Sequence, residues 1–172
     1  MIESRNRDMV RKVEDIKYVA ELVKVYNSAN ELYPINARYP ADKSIFYKQM
    51  ENDENYVYIM EQEIVGFMSY HKHKEYYELT SLYVQFARQR QQIGETLLNC
   101  FESKVPTDNL VIVKVLNNSP WAINFYLKHS YMRMTEAQLQ SLNIVQHNWE
   151  TILSHKPVKP LTLAMGMLLY RG

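Results

Sequence analysis

The sequence is poor in the features that usually single out a class of protein. It has one cysteine, Cys100, four glycines, and 20 lysines and arginines set against 19 aspartates and glutamates. A lone cysteine cannot close an intramolecular disulfide, so the fold must hold without covalent cross-links. A formal net charge of +1 excludes the broad basic field that binds nucleic acid or anionic membrane surfaces by charge alone. No run approaches the roughly 18 apolar residues that cross a bilayer; the most apolar tract, 161–170, has the length of a strand. The opening residues MIESRNRDMVRKVED lack the apolar stretch of a signal peptide. The expectation is a soluble, cytoplasmic protein with neither membrane nor nucleic-acid partners, whose partner choice depends on a local site.

What is present is ordinary globular composition, 47% hydrophobic and 23% charged over 172 residues, the size of a single domain spanning 1–172. A short strand is expected over 9–13. Ile16, Val19, Ala20, Val23 and Tyr26 then recur at three- and four-residue spacing, which predicts an amphipathic helix over about 13–32. After the turn-rich 34–40, Pro40 stands where a first helical residue would, ahead of Ala41, Ile45, Phe46 and Met50 on one side. Two β-rich runs, 56–60 and 64–70, flank the polar Glu61-Gln62-Glu63 and predict a hairpin, with a third antiparallel strand over 76–85. The order then alternates: helix 93–103, strand 110–115, helix 120–129, strand 131–134. Thr135 and Gln138 have capping-box spacing ahead of a short helix. The stretch 141–160, with Trp149, Ile152 and Leu153, carries no assigned element, and a final strand is expected over 162–170, past Pro157 and Pro160.

The tract LTSLYVQFARQRQQIGETLLNCF, 79–101, reads as an apolar strand, a polar basic loop, and a helix with Ile93, Leu97, Leu98 and Phe101 toward the core. N–H groups of the loop and first helical turn, the helix dipole, and the charges of Arg88 and Arg90 would together hold a pyrophosphate. Gly94 would let backbone and phosphate approach closely. The same residues also suit a solvated polar loop, and spacing alone leaves both readings open.

Three ordered blocks add a resemblance. Leu82-Tyr83-Val84, then Gln89-Arg90-Gln91-Gln92-Ile93-Gly94, then Leu97-Leu98 resemble the acetyl-CoA signature of the GNAT superfamily of acetyl-CoA-dependent N-acetyltransferases, in which Gln or Arg precedes x-x-Gly-x-Gly/Ala. The block from Asn117 to Tyr131 resembles the family's later motif, with Ala122, Phe125 and Tyr126 in register. Glu63-Ile64-Val65-Gly66-Phe67 resembles its third strand. Gln92 takes the place of the first glycine of the phosphate loop, and Ser130-Tyr131 the place of Gly-Phe. A side chain at 92 is compatible with phosphate binding where the backbone stays helical and Gln92 points to solvent. The resemblance implies a mixed α/β, or α+β, GNAT-like fold. Its central sheet would be mostly antiparallel, of six or seven strands splayed between the fourth and fifth, flanked by four or five helices.

It also implies a reaction: transfer of an acetyl group from acetyl-CoA, as cosubstrate, to a primary amine by direct attack in a ternary complex, without a metal. Leu82, Tyr83, Val84, Gln89, Arg90, Gln91, Gln92, Ile93, Gly94, Glu95 and Thr96 would bind acetyl-CoA, with a main-chain N–H near Val84 on the thioester carbonyl. Asn118 or Ser119 would meet the pantetheine arm. Glu78, where the family carries a carboxylate, would accept the amine proton, with His73 and Glu75 as alternatives. An exposed glutamate is a weak base at neutral pH, so this role calls for burial or an apolar rim, for which Tyr76, Tyr77 and Phe67 are candidates. Tyr126 would protonate the leaving thiolate, since a phenol and a thiol are of comparable acidity. His71 and His73 share a strand face but have no third ligand at metal spacing, and Cys100 reads as core or semi-core. Tyr33, Tyr39, Tyr47 and Trp149 are candidate walls for an acceptor that is a small amine, a peptide N-terminus or a lysine. Gln92 and the missing Gly-Phe keep a non-catalytic acyl-CoA-binding or protein-interaction module as the alternative. The apolar final strand and the aromatic 141–160 segment point toward a homodimer.

Overall fold

The computed structural model describes residues 8–39 and 41–155; Pro40 and the final strand expected over 162–170 lie outside them. The strands are β1 (Met9–Val13), β2 (Glu54–Met60), β3 (Glu63–Lys72), β4 (Tyr76–Val84), β5 (Leu110–Leu116), β6 (Met132–Arg133) and β7 (Glu150–His155). The α-helices are α1 (Val19–Ala29), α2 (Lys43–Asn52), α3 (Ile93–Lys104), α4 (Pro120–Lys128) and α5 (Glu136–Ser141). The strands form one mixed sheet in the order β1-β2-β3-β4-β5-β7-β6. The described residues group into two compact units. One holds β1 to β3, α1 to α3 and β4 from Thr80 onward; the other holds Lys72–Leu79 and the chain from Val105.

In the first unit β1 pairs antiparallel with β2, from Met9↔Ile59 to Val13↔Asn55, and β2 pairs antiparallel with β3. The connection is tighter than three polar residues: Glu61 and Gln62, with φ of 50° and 68°, form a two-residue turn whose left-handed backbone matches the twist of the strands. Strand β3 is buried on both faces. Phe67 and Ser69 face α2, where Phe67 meets Phe46 at 6.0 Å between ring centroids and Ser69 accepts from the Gln49 amide. Gly66 and Tyr70 face α3, where Tyr70 meets Phe101 at 5.2 Å. A Cβ on Gly66 would lie 3.1 Å from Ile93 Cγ2, 3.1 Å from Leu97 Cδ1 and 3.2 Å from the Tyr83 carbonyl, so this glycine sets how closely α3 lies on the sheet.

The first helix starts later than its periodicity suggests. Val13 stays in β1, and Asp15 accepts from the Lys17 N–H at the head of a 3₁₀ turn, Ile16–Tyr18, that leads into α1. Val19, Leu22, Val23 and Val25 bury the inner face, while Ile16 is exposed. Helix α2 begins at Lys43, with Asp42 as its cap accepting from Ser44 N–H; an aspartate satisfies an orphan donor of the first turn, which a proline ring cannot do. A buried polar network ties α2 to the sheet: the Ser81 hydroxyl donates to Gln49 Oε1 at 3.0 Å and the Ser69 hydroxyl to Asn55 Oδ1 at 2.6 Å.

In the second unit β4 runs parallel to β5, with Tyr76 opposite Leu110 and Leu79 opposite Val113. Pairing stops there although the strands continue to Val84 and Leu116, so the fourth and fifth strands part as the resemblance implies. The other edge of β5 pairs antiparallel with β7, from Val111↔His155 to Leu116↔Glu150, and β6 is only two residues long against β7. Strand β7 lies in the stretch 141–160, to which the sequence assigns no element. Helix α5 opens with both bonds of the capping box, Thr135 N–H to Gln138 Oε1 at 2.9 Å and Gln138 N–H to Thr135 Oγ1 at 3.2 Å. Leu139 then packs with Ile112, Ile144 and Ile152 beneath it.

Candidate functional site

Strand β4 ends in Leu82, Tyr83 and Val84, all half-buried. Tyr83 lies edge-on to Tyr26 at 5.0 Å and tilted against Phe67 at 5.5 Å, and burial there holds its phenol above the ordinary value. A 3₁₀ turn, Phe86–Arg88, follows. Gln89 then folds back, its amide donating to the Val84 carbonyl at 3.2 Å. Arg90 and Gln92 both take left-handed backbone, with φ of 62° and 64°. The Gln92 carbonyl accepts from the Thr96 N–H at 3.0 Å and the Thr96 hydroxyl at 2.8 Å.

Left-handed residues on either side of Gln91 curl the main chain so that N–H groups can converge on an anion. The 12-residue α3 adds its dipole and its first-turn N–H groups. Gln92 is left-handed and not helical, the conformation suited to the glycine it replaces, and its side chain is exposed together with Arg90, Gln91, Glu95 and Thr96. Ile93 points into the core, and Gly94 is half-buried with an ordinary negative φ. Arg88 is tied to Glu61 in the β2–β3 turn at 3.2 Å.

In the second unit Glu78 sits on β4 opposite Ile112, with its side chain 14% exposed. Its Oε2 lies 2.7 Å from His73 Nε2 and its Oε1 lies 3.4 Å from Lys114 Nζ. Lys114 is two residues beyond Ile112 on the same face, the diagonal position from which a long side chain reaches across a strand pair. The His73 ring stacks on Tyr76 at 4.3 Å, and its main-chain N–H donates to the Tyr76 carbonyl at 2.8 Å, fixing the imidazole over the strand. Burial, helped by the charges of Glu78 and Glu75, raises the Tyr76 phenol above its ordinary value. Of the expected apolar rim, Tyr76 alone shares the face of Glu78. Tyr77 alternates to the opposite, buried face, and Phe67 belongs to the core of the first unit. Lys114 is not among the residues that the sequence singles out; its only signal there is a charge interrupting the apolar run of β5. His71 turns to a different carboxylate, its Nδ1 lying 3.0 Å from Asp53 Oδ1.

Helix α4 starts with Pro120 behind the buried Ser119, whose carbonyl accepts from Ala122 and Ile123 N–H at 3.0 and 3.1 Å. Asn118 is exposed. Asn117 ties the end of β5 to the chain before and within β7, since its amide donates to the Asn148 carbonyl at 2.9 Å and its Oδ1 accepts from the Thr151 hydroxyl at 2.6 Å. Tyr126 is buried, edge-on to Phe125 at 5.2 Å and to Tyr131 at 5.3 Å. The helix closes with Tyr131 N–H to Tyr126 O at 3.0 Å and Ser130 N–H to Leu127 O at 3.2 Å, with Ser130 at φ 70°. That is a Schellman motif with serine where glycine is the usual residue. A cleft of about 570 Å³ opens beside α5 and β7, lined by Asn117, Glu136, Gln140, His147 and Glu150 among others. Trp149 is exposed and stacks on His147 at 4.3 Å, while Tyr39 and Tyr47 are exposed in the first unit, where Tyr33 meets Tyr39 edge-on at 6.0 Å. Burial pushes the Cys100 thiol up despite Lys104, which disfavours the thiolate a nucleophile needs.

The sheet is mixed, its fourth and fifth strands pair only from Tyr76 to Leu79, and a loop with two left-handed residues leads from the fourth strand into α3. Residues 36–152 match the family described as the Acetyltransferase (GNAT) domain, and the chain belongs to that family. No curated protein matches its sequence. Among solved structures it is similar to the PaiA N-acetyltransferase from Thermoplasma acidophilum in complex with coenzyme A, with a TM-score of 0.71 and 15% identity, covering 87% of this chain and 99% of that one. It is similar to an acetyltransferase from Streptococcus agalactiae, with a TM-score of 0.70 and 14% identity, covering 88% and 99%. The ribosomal-protein-S18-alanine N-acetyltransferase from Escherichia coli follows with a TM-score of 0.65 and 12% identity, covering 86% and 91%. At these identities the likeness is one of fold. Among the described residues no helix is long and apolar enough to cross a membrane.

Proposed function

We propose that the chain is one acetyltransferase domain that moves the acetyl group of acetyl-CoA to a primary amine, by direct attack in a ternary complex, in the cytoplasm. The observation that carries this reading is the left-handed pair Arg90 and Gln92 at the head of α3, inside the span that matches the family. Main-chain N–H groups of 89–96 hold the pyrophosphate, with Arg90 adding charge. Acetyl-CoA supplies an activated thioester carbonyl. Glu78, held by His73 and Lys114, accepts the proton of the acceptor ammonium, which frees the nitrogen lone pair. Tyr126 gives its phenolic proton to the departing thiolate and is restored, through solvent, by the second proton that the acetylated nitrogen sheds.

The test is thermal unfolding with and without acetyl-CoA, with adenosine diphosphate as the control for phosphate binding alone. A ligand at about 100 times its Kd adds about 2.7 kcal/mol, a shift of roughly 5 to 10 °C for a chain of this size. A shift larger than that of the control, followed by acetylation of amines that Glu78→Gln and Tyr126→Phe slow, supports the reading. Absence of a shift at millimolar acetyl-CoA overturns it, and binding without turnover of any amine assigns the chain to the non-catalytic alternative.

A further inference from the structure

The carboxylate assigned to receive the acceptor already has a cation beside it. Lys114 Nζ lies 3.4 Å from Glu78 Oε1, while the other oxygen is held more closely by His73 at 2.7 Å. The Lys114 side chain is 35% exposed and that of Glu78 14%, so the pair sits at the rim of the strand face, open to exchange with a ligand on the Lys114 side. An acceptor approaching as an ammonium ion must take over Oε1 and leave the lysine charge beside its own. Two like charges at this separation in a partly desolvated site repel, and a polycationic acceptor adds to the repulsion. An acceptor that carries an anion next to its amine removes the conflict. Its ammonium replaces Lys114 on Glu78, and its carboxylate takes the lysine that was displaced.

We infer that the acceptor is an amine with an adjacent carboxylate, an α-amino acid in the simplest case, and that Lys114 is the residue that selects it. The two charged groups of an α-amino acid share one carbon, a spacing comparable to the gap between Glu78 Oε1 and Lys114 Nζ. The inference rests on the acetyltransferase reading. In the step itself the acceptor ammonium gives one proton to Glu78, and the nitrogen lone pair forms the C–N bond as the C–S bond of the thioester breaks. The thiolate takes its proton from Tyr126, the second proton shed by the acetylated nitrogen restores the tyrosine through solvent, and Lys114 stays protonated throughout, paired with the acceptor carboxylate.

The experiment follows CoA release by the full chain with pairs of acceptors that differ only in that group, α-amino acids and their carboxamides. An acid should exceed its amide in kcat/KM by about tenfold or more, the scale of one charge-assisted contact. Lys114→Met should bring the ratio close to one, and Lys114→Arg should keep the preference. The acetyl-CoA thermal shift of each variant reports that it is folded and binds its donor. An amide used as well as its acid by the unaltered chain, or a preference that survives Lys114→Met, overturns the inference and leaves the acetyltransferase reading standing. Failure to acetylate either class while acetyl-CoA still binds overturns the inference, and the acetyltransferase reading falls with it only when no other primary amine is turned over.

Discussion

Replacing Ser130 by glycine should stabilise the protein, although it removes a side chain and adds no contact. Ser130 has φ of 70° and occupies the position after the cap of α4, within a Schellman motif closed by Tyr131 N–H to Tyr126 O at 3.0 Å. The ring contact of Tyr126 with Tyr131 at 5.3 Å supplies the hydrophobic partner of that motif, so the turn is over-determined and keeps its shape whatever residue stands at 130. A side chain in this backbone region costs about 1 to 2 kcal/mol through its Cβ. Glycine avoids that cost but loses about 0.5 to 1 kcal/mol to the greater freedom of the unfolded chain. The difference favours glycine by about 0.5 to 1 kcal/mol, a rise in Tm of roughly 1 to 4 °C for a chain of this length. Thermal denaturation followed by circular dichroism measures it, with Ser130→Ala as the control that keeps a Cβ and should show no gain. A lower Tm for Ser130→Gly, or an equal gain for Ser130→Ala, would refute the reasoning.

Gly66→Ala should act in the opposite direction, because its Cβ would press on Ile93, Leu97 and the Tyr83 carbonyl at 3.1 to 3.2 Å where α3 lies on β3. The expected loss is about 1 kcal/mol or more, visible as a lower urea midpoint, and an unchanged midpoint would show that α3 gives way freely. Gln92→Gly relieves the same left-handed strain as Ser130→Gly and should raise Tm by a similar amount of roughly 1 to 4 °C. Since the backbone is already in the glycine conformation, the additional shift on adding acetyl-CoA should not shrink; a reduced shift would mean that the Gln92 side chain itself holds the ligand.

The sequence is most legible where a signal is local. The apolar stripe of α3, the apolar run of β5 and the capping box at Thr135 each lie within one helix, strand or turn, and each forms close to where its pattern places it. The beginnings of α1 and α2 differ from expectation because a periodic apolar pattern does not mark its own start. Asp15 and Asp42, each accepting from an N–H two residues on, are the punctuation that decides both. Strand β7 escapes a sequence reading because only Ile152 and Leu153 are apolar in it, too few to show a period, and its formation depends on pairing with β5 on one edge and β6 on the other. For the same reason Lys114 could not be read as a partner of Glu78. The two are far apart in the chain, and only the register that sets Glu78 opposite Ile112 brings them together.

The two departures from the family pattern also look different once the backbone is known. Gln92 and Ser130 stand at φ of 64° and 70°, so the chain keeps the glycine geometry at both places while carrying residues that make it costly. A cost of about 1 to 2 kcal/mol at each site is tolerable only where the surrounding structure holds the turn. At Ser130 the helix end and the Tyr126–Tyr131 contact do so. At Gln92 the hold comes from the Thr96 N–H and hydroxyl, both on the Gln92 carbonyl, and from Gln89 folding back to Val84. Loss of a glycine from a phosphate-loop motif therefore argues against anion binding only if the backbone changes with it, and in this loop the backbone has not followed the side chain.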